Sequence, residues 1–191
     1  MKRLILASQS PWRKEILGKI GVPFDVVVSD YQEDMGLKMP PKKLALKMAR
    51  GKAEAVAAKH SDALIIAADT FIISGKELLG KPHTPKRAQE MLTKLAGTWH
   101  DIITGFVILD AKTGRLHEEV ILTRVHLRKA TRSEIAAYVA TGEPLNVAGA
   151  YAIQGRAGTL IDRIEGNYWN IAGLPLSEVV VALKKFGVNN V

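Results

Sequence analysis

Residues 4–13, Leu-Ile-Leu-Ala-Ser-Gln-Ser-Pro-Trp-Arg, set how this chain begins to fold. The apolar run at 4–7 reads as a buried strand. Ser8 breaks it, and Ser10-Pro11 opens a helix. Serine is a favoured N-cap, and proline at the first helical position loses no hydrogen bond. A strand feeding a helix through two hydroxyls brings Ser8, Ser10, a helix N-terminus and the Arg13 guanidinium to one place, which is the composition of an anion site. The same residues also make a plain surface helix with a solvated arginine.

The remaining punctuation extends this into an α/β pattern. A strand is expected at 24–28, and a long amphipathic helix from Pro40-Pro41 to about Lys59, with Leu44, Met48, Ala55 and Val56 on its apolar face. A strongly apolar strand at 63–68 is expected to stop at Asp69-Thr70. Extended chain then runs over 71–73 into a turn at Ser74-Gly75. Thr84-Pro85 starts a helix that ends at Gly97, and two long strands at 99–109 and 118–127 flank a turn at 110–114. Thr131 with Glu134 forms a capping box, Gly142 closes that helix, and a last helix covers 176–186. Strands and helices intermingle without a strict βαβ rhythm. The expected fold class is therefore α/β, with a mixed central sheet flanked by helices and a cleft. At 191 residues with no linker or repeat, the chain is expected to form a single domain over 1–191, with two lobes around a cleft as the alternative arrangement.

Composition removes several chemistries. The chain has no cysteine, which excludes disulfides, thiolate metal sites and a cysteine nucleophile. No apolar run reaches the length of a membrane span, and the N-terminal run is interrupted too early for a signal peptide, so a cytoplasmic protein without a membrane partner is expected. A net charge of +8 favours anionic partners. With 6% aromatic residues and no dense basic–aromatic stretch, nucleic acid is the lesser candidate. A basic nucleic-acid-binding or cell-division regulatory protein is the alternative from another functional class.

Among candidate catalytic groups, Asp69 comes first. A carboxylate at the end of a buried strand is costly unless it is paired, bound to metal or used. Asp30, Glu33 and Asp34 form an acidic loop that offers a second oxygen ligand for Mg²⁺; a solvated loop accounts for at least two of the three. Residues 75–81, Gly-Lys-Glu-Leu-Leu-Gly-Lys, fit the spacing of a phosphate-binding P-loop. Pro82 follows where Ser or Thr should hold the metal, so the match is set aside and only Lys81 is kept as a phosphate ligand. The five histidines show no metal-ligand spacing.

Five segments occur in order: Leu-Ala-Ser-Gln-Ser-Pro-Trp-Arg at 6–13, Ala-Ala-Asp-Thr at 67–70, Gly-Lys-Pro at 80–82, Ala-Gly-Ala-Tyr-Ala-Ile-Gln-Gly at 148–155 and Gly-Leu-Pro-Leu at 173–176. Together they resemble the Maf family of nucleoside triphosphate pyrophosphatases over nearly the whole chain. The resemblance implies an elongated mixed α/β sheet with a deep nucleotide cleft, like that of the inosine triphosphate pyrophosphatases. It implies hydrolysis between the α- and β-phosphates with a divalent metal, Mg²⁺ or Mn²⁺, and a homodimer. It makes Asp69 the proton acceptor and a metal ligand. Ser8, Arg13, Lys52 and Lys81 become phosphate-binding residues, joined by Ser10 at the helix N-terminus, and Glu33, the candidate second metal ligand, falls near the family's acidic loop position.

Base selection falls, by the same resemblance, on Trp12, Thr70 and Gln154. Thr70 and Gln154 resemble the subfamily acting on dTTP and UTP, often with CTP; Trp12 resembles the subfamily acting on 7-methyl-GTP. A glutamine amide offers one donor and one acceptor, which matches the O4 and N3–H edge of thymine and uracil. A tryptophan stacks on any base. Because a hydrogen-bond mismatch discriminates more strongly than a stacking partner, dTTP and UTP are the expected substrates, extending to CTP or modified pyrimidine nucleotides, with 7-methyl-GTP as the alternative.

Overall fold

The computed structural model describes residues 2–34 and 38–189. The chain runs β1 (Arg3–Leu6), α1 (Pro11–Gly18), β2 (Asp25–Val26), α2 (Pro41–Ala57), β3 (Ala63–Ser74), β4 (Glu77–Leu79), α3 (Pro85–Leu95), β5 (Trp99–Asp110), β6 (Leu116–Leu127), α4 (Arg132–Ala140), β7 (Ile161–Glu165), α5 (Tyr168–Ile171) and α6 (Leu176–Lys184). Seven strands form one sheet in the order β2-β1-β3-β5-β6-β7, with β4 added to β3. β1 is parallel to β2 and β3, whereas β3–β4 and β6–β7 are antiparallel, so the sheet is mixed as expected. No helix among the described residues is long and apolar enough to cross a membrane.

The chain divides into two compact units, with β3, β5 and β6 each contributing residues to both. The first comprises 1–70, 104–121 and 173–191. Its core joins Ile5 and Ala7, Ala49, Ala53 and Val56 of α2, Ala63, Ile65 and Ala67 of β3, and Val107 of β5. Every residue from Ala63 to Ala68 is buried, because both faces of β3 are covered there. The helical stripe on α2 is Leu44, Ala45, Met48, Ala49, Ala53 and Val56; Ala55, expected on that face, is only half-buried. The second unit comprises 71–103 and 122–172. It packs α3 and α4 over Ile102, Val125 and Leu127.

Two expectations need correction. The strand expected at 24–28 shrinks to Asp25–Val26, because β2 is a sheet edge where Val28 is 61% exposed and has no face to bury. β3 also does not stop at Asp69. It runs on to Ser74, with β1 paired over Ala63–Ile66 and β4 over Ile72–Ser74. Asp69 therefore lies in mid-strand, at the stretch of that edge left between two partners. The P-loop-like segment is a hairpin: Gly75 makes the turn at a φ of 62° and Glu77–Leu79 is β4.

Local capping is as the sequence predicts. Ser10, Thr84 and Thr131 each cap their helix through the side-chain oxygen, and Thr131 with Glu134 completes the capping box.

One buried group makes stability pH-dependent. His100 on β5 is 2% exposed; its Nε2 lies 2.7 Å from Tyr151 Oη, and its Nδ1 has no partner among the described residues. Burial, with a smaller contribution from the His126 charge, lowers its pKa from 6.5 to about 4. Between those values the unfolded chain binds a proton that the folded chain does not, so stability is full above pH 6.5 and is lost as pH falls towards 4. The shift corresponds to on the order of 3 kcal/mol. Urea unfolding from pH 8 to pH 4 should show that much more acid loss in the wild type than in His100→Phe; parallel curves for the two proteins would refute the assignment.

Candidate active site

The β1–α1 junction is held by its own hydroxyls. Ser8 is buried, and its Oγ accepts from Ser10 N at 3.1 Å; Ser10 Oγ accepts from Arg13 N at 3.4 Å. Both hydroxyls act as acceptors here, which leaves their O–H hydrogens to donate to a ligand. Pro11 has no N–H and Arg13 N is taken by the cap, so anion binding at this helix end depends on hydroxyls and side chains more than on free backbone donors. Trp12, on the first turn, is 36% exposed.

Arg13 turns back into the unit. Its Nε donates to the Gly173 carbonyl at 2.8 Å and its Nη2 to Thr70 Oγ1 at 3.2 Å. Thr70 Oγ1 in turn lies 2.9 Å from Thr104 Oγ1. Gly173 adopts a φ of 101°, and a Cβ there would sit 3.4 Å from Arg13 Nε, so both the backbone and the approach of the guanidinium favour glycine. Burial pulls the Arg13 pKa down, and the negative charges of Asp69 and Glu33 push it back up. The guanidinium stays a cation, fixed on one edge by two acceptors.

Lys52 projects from α2 onto two carboxylates. Its Nζ is 2.5 Å from Asp69 Oδ1 and 2.8 Å from Glu33 Oε1. The Lys52 and Asp69 side chains are 14% and 11% exposed and Glu33 is 42% exposed, so the inner pair is buried and the outer carboxylate faces solvent. Glu33 is delivered there by its neighbour Tyr31. A Cβ on Gly51, one residue before Lys52, would fall 2.3 Å from the Tyr31 ring, so the aromatic lies on the α2 backbone only because residue 51 is glycine. Asp30 instead forms an exposed pair with Lys59 at 2.7 Å.

Ser8, Ser10, Arg13, Thr70, Asp69, Lys52 and Glu33 are thus one connected cluster inside the first unit. Lys81 and Gln154 belong to the second. Lys81 is exposed and makes no ion pair among the described residues. Its segment is held by Gly149 N donating to the Gly80 carbonyl at 3.1 Å and His83 N to the Leu145 carbonyl at 2.9 Å. The Nε2 of Gln154 is buried without a hydrogen-bond partner among the described residues.

For a divalent metal the donors fit in kind. No cluster of three or more His, Cys, Asp or Glu is present among the described residues, but Asp69 and Glu33 already converge on one cationic nitrogen. Mg²⁺ is ordinarily bound by one or two carboxylates with substrate phosphate and water completing the shell. Sequence reasoning missed Gly173 and Thr104, the groups that fix Arg13 and Thr70. The sequence signal for Thr104 is a hydroxyl within the apolar run 102–109, and it is fully buried in the structure.

The sequence has relatives that match it over nearly its whole length. A family model described as Maf-like protein matches residues 3–186. A protein of Alkaliphilus metalliredigens named dTTP/UTP pyrophosphatase is 44% identical over 191 residues, covering 99% of each chain. Proteins of the same name from Geotalea uraniireducens and Moorella thermoacetica are 42% and 43% identical, covering 96% and 99% of this chain and 95% and 97% of their own. With the family model spanning nearly its full length, this chain belongs to the Maf-like protein family.

Proposed function

We propose that this chain is a nucleoside triphosphate pyrophosphatase that hydrolyses dTTP and UTP to the nucleoside monophosphate and pyrophosphate. The observation that carries the reading is the Glu33–Lys52–Asp69 cluster, a buried carboxylate paired with a lysine beside a fixed arginine. The names of the relatives support the substrate.

Attack of water on the α-phosphorus breaks the α–β anhydride and releases pyrophosphate; such a transfer needs positioning and charge neutralisation more than covalent chemistry. Asp69 accepts the proton of the attacking water. Arg13, Lys81 and the hydroxyls of Ser8 and Ser10 take phosphate oxygens, with Lys52 shared between substrate and carboxylates. Asp69 and Glu33 would hold the divalent cation, Mg²⁺ or Mn²⁺, which supplies further charge neutralisation when bound. Gln154 donates from Nε2 to O4 of the base and accepts N3–H at Oε1. Thr70 acts through Arg13, to which its hydroxyl is bonded. Trp12 is exposed enough to stack on a base. In this reading the enzyme works in the cytoplasm as a homodimer.

The deciding assay is pyrophosphate release from dTTP, UTP, CTP, GTP and 7-methyl-GTP with Mg²⁺ or Mn²⁺. Turnover of dTTP and UTP is expected. A preference for 7-methyl-GTP would give base selection to Trp12, and no turnover of any of the five would overturn the reading.

Two variants sharpen it. Asp69→Asn keeps the shape and removes the base, and should lower kcat by roughly a hundredfold or more; substantial residual turnover would remove Asp69 from its role. Gln154→Glu replaces the donor by a second acceptor, suited to the N1–H and N2–H₂ donors of guanine. The kcat/KM ratio of UTP over GTP should fall by roughly tenfold or more, and an unchanged ratio would show that Gln154 does not read the base.

A further inference from the structure

Gln154 lies in a short stretch of the second unit whose backbone is held on both sides by two residues with no assigned role. Before it, Ala152 N donates to Tyr138 Oη at 3.4 Å. After it, Arg156 N donates to Glu143 Oε2 at 3.0 Å and Ala157 N to Glu143 Oε1 at 3.4 Å. The two brackets are joined, because Tyr138 Oη donates to Glu143 Oε1 at 2.8 Å. Burial, reinforced by the hydrogen bond to Glu143, pushes the Tyr138 pKa up, which keeps the phenol proton on that bond.

Contact with the backbone is direct. A Cβ on Gly155 would fall 2.4 Å from Glu143 Oε1 and 2.5 Å from Oε2, so the carboxylate fills the space a side chain would need at the residue following Gln154. The bracket is itself anchored. Tyr138 is on α4, and Glu143 N donates to Thr141 Oγ1 at 3.2 Å just past the end of that helix. The Gln154 side chain, in contrast, has its buried Nε2 unpaired among the described residues. An unpaired buried donor is a free-energy cost that a ligand carbonyl removes. The backbone around Gln154 is thus over-determined while its amide is left for a partner, an arrangement that places a reading group and keeps it unspent.

We propose that Glu143, acting with Tyr138, is the positioning residue for base selection: it fixes the 152–157 backbone so that the Gln154 amide meets the carbonyl-bearing edge of a uracil or thymine nucleotide. This rests on the reading of Gln154 as the base contact. Glu143 touches neither base nor phosphate and acts only through Gln154. Glutamine at 143 cannot replace it fully, because one oxygen becomes an NH₂ and at least one of the three donors now served loses its acceptor.

The test is equilibrium binding by calorimetry of two probes, the non-hydrolysable α,β-methylene analogue of UTP and tripolyphosphate, which has no base. The proteins are the wild type, Glu143→Gln, Tyr138→Phe, Gln154→Ala and the double variant Glu143→Gln/Gln154→Ala, each with a thermal melt. Glu143→Gln and Tyr138→Phe should each weaken the UTP analogue by roughly three- to tenfold, the worth of one hydrogen bond, while tripolyphosphate affinity changes by less than about twofold. In the Gln154→Ala background Glu143→Gln should add less than about twofold, because the group it positions is gone. Equal weakening of both probes, a full effect of Glu143→Gln without Gln154, or a lowered melting temperature with unchanged UTP-analogue affinity would each overturn the proposal. If the wild type fails to hydrolyse dTTP and UTP yet shows this binding pattern, the reaction assignment falls and the positioning role stands. If it hydrolyses them without the pattern, the reverse holds.

Discussion

The contact on which the first unit depends is the ion pair between Lys52 and Asp69. β3 is buried on both faces through Ala68, and the next residue is a carboxylate with 11% of its side chain exposed. An unpaired charge in such a place costs several kcal/mol or neutralises by taking up a proton. Lys52, 2.5 Å away, supplies the partner, and it does so from a helix whose position is set by other residues. The α2 face is rich in alanine, with Ala45, Ala49 and Ala53 buried, and it meets Ala63 and Ala67 on β3. Small residues on both sides let the helix lie close to the strand, so a lysine stem of ordinary reach delivers its ammonium to the strand edge. The packing and the electrostatics are therefore one solution: larger side chains on this stripe would push α2 away and leave Asp69 without its cation.

What the sequence made legible was local. Caps at Ser10, Thr84 and Thr131 are decided within four residues, and all three form as read. Asp69 was recognisable as a charge beside an apolar run, but its place in mid-strand was not. The run ends at Ala68, while the strand continues because β4 pairs with Ile72–Ser74, a contact that hydrophobic periodicity does not encode. The acidic loop shows the same limit. Asp30 and Glu33 look equivalent in sequence, yet one meets an exposed lysine and the other the inner Lys52, a difference made by Tyr31 lying over Gly51. Gly173 stood within a motif quoted for its resemblance, with no local reason to connect it to Arg13, 160 residues earlier.

The residues of the proposed function divide between the two units. The charges that suit phosphoryl transfer, Arg13, Lys52, Asp69 and Glu33, are all within the first unit, and the bracketed Gln154 is in the second. The chain passes from one to the other immediately after Asp69 and Thr70. Changes to the second unit's 152–157 stretch leave the first unit's ion pairs untouched, because none of those pairs involves a second-unit residue. If Gln154 reads the base as proposed, a stacking surface such as Trp12 sets no competing hydrogen-bond requirement.

Charge balance within the cluster also bears on the proposed reaction. Arg13 and Lys52 bring two positive charges, and Asp69 and Glu33 bring two negative ones, so the cluster is formally neutral. A neutral cluster has no net charge left to offset a triphosphate, and the two carboxylates repel one. Neutralising the substrate must therefore come from outside the quartet. In the proposed reaction Lys81 would supply one such charge, and a divalent cation held by Asp69 and Glu33 would supply two more. Lys52 holds both carboxylates in the free protein, and in the proposed reaction it would be shared with a phosphate oxygen. The neutrality of the quartet is thus the physical reason that the proposed chemistry would draw on a divalent cation.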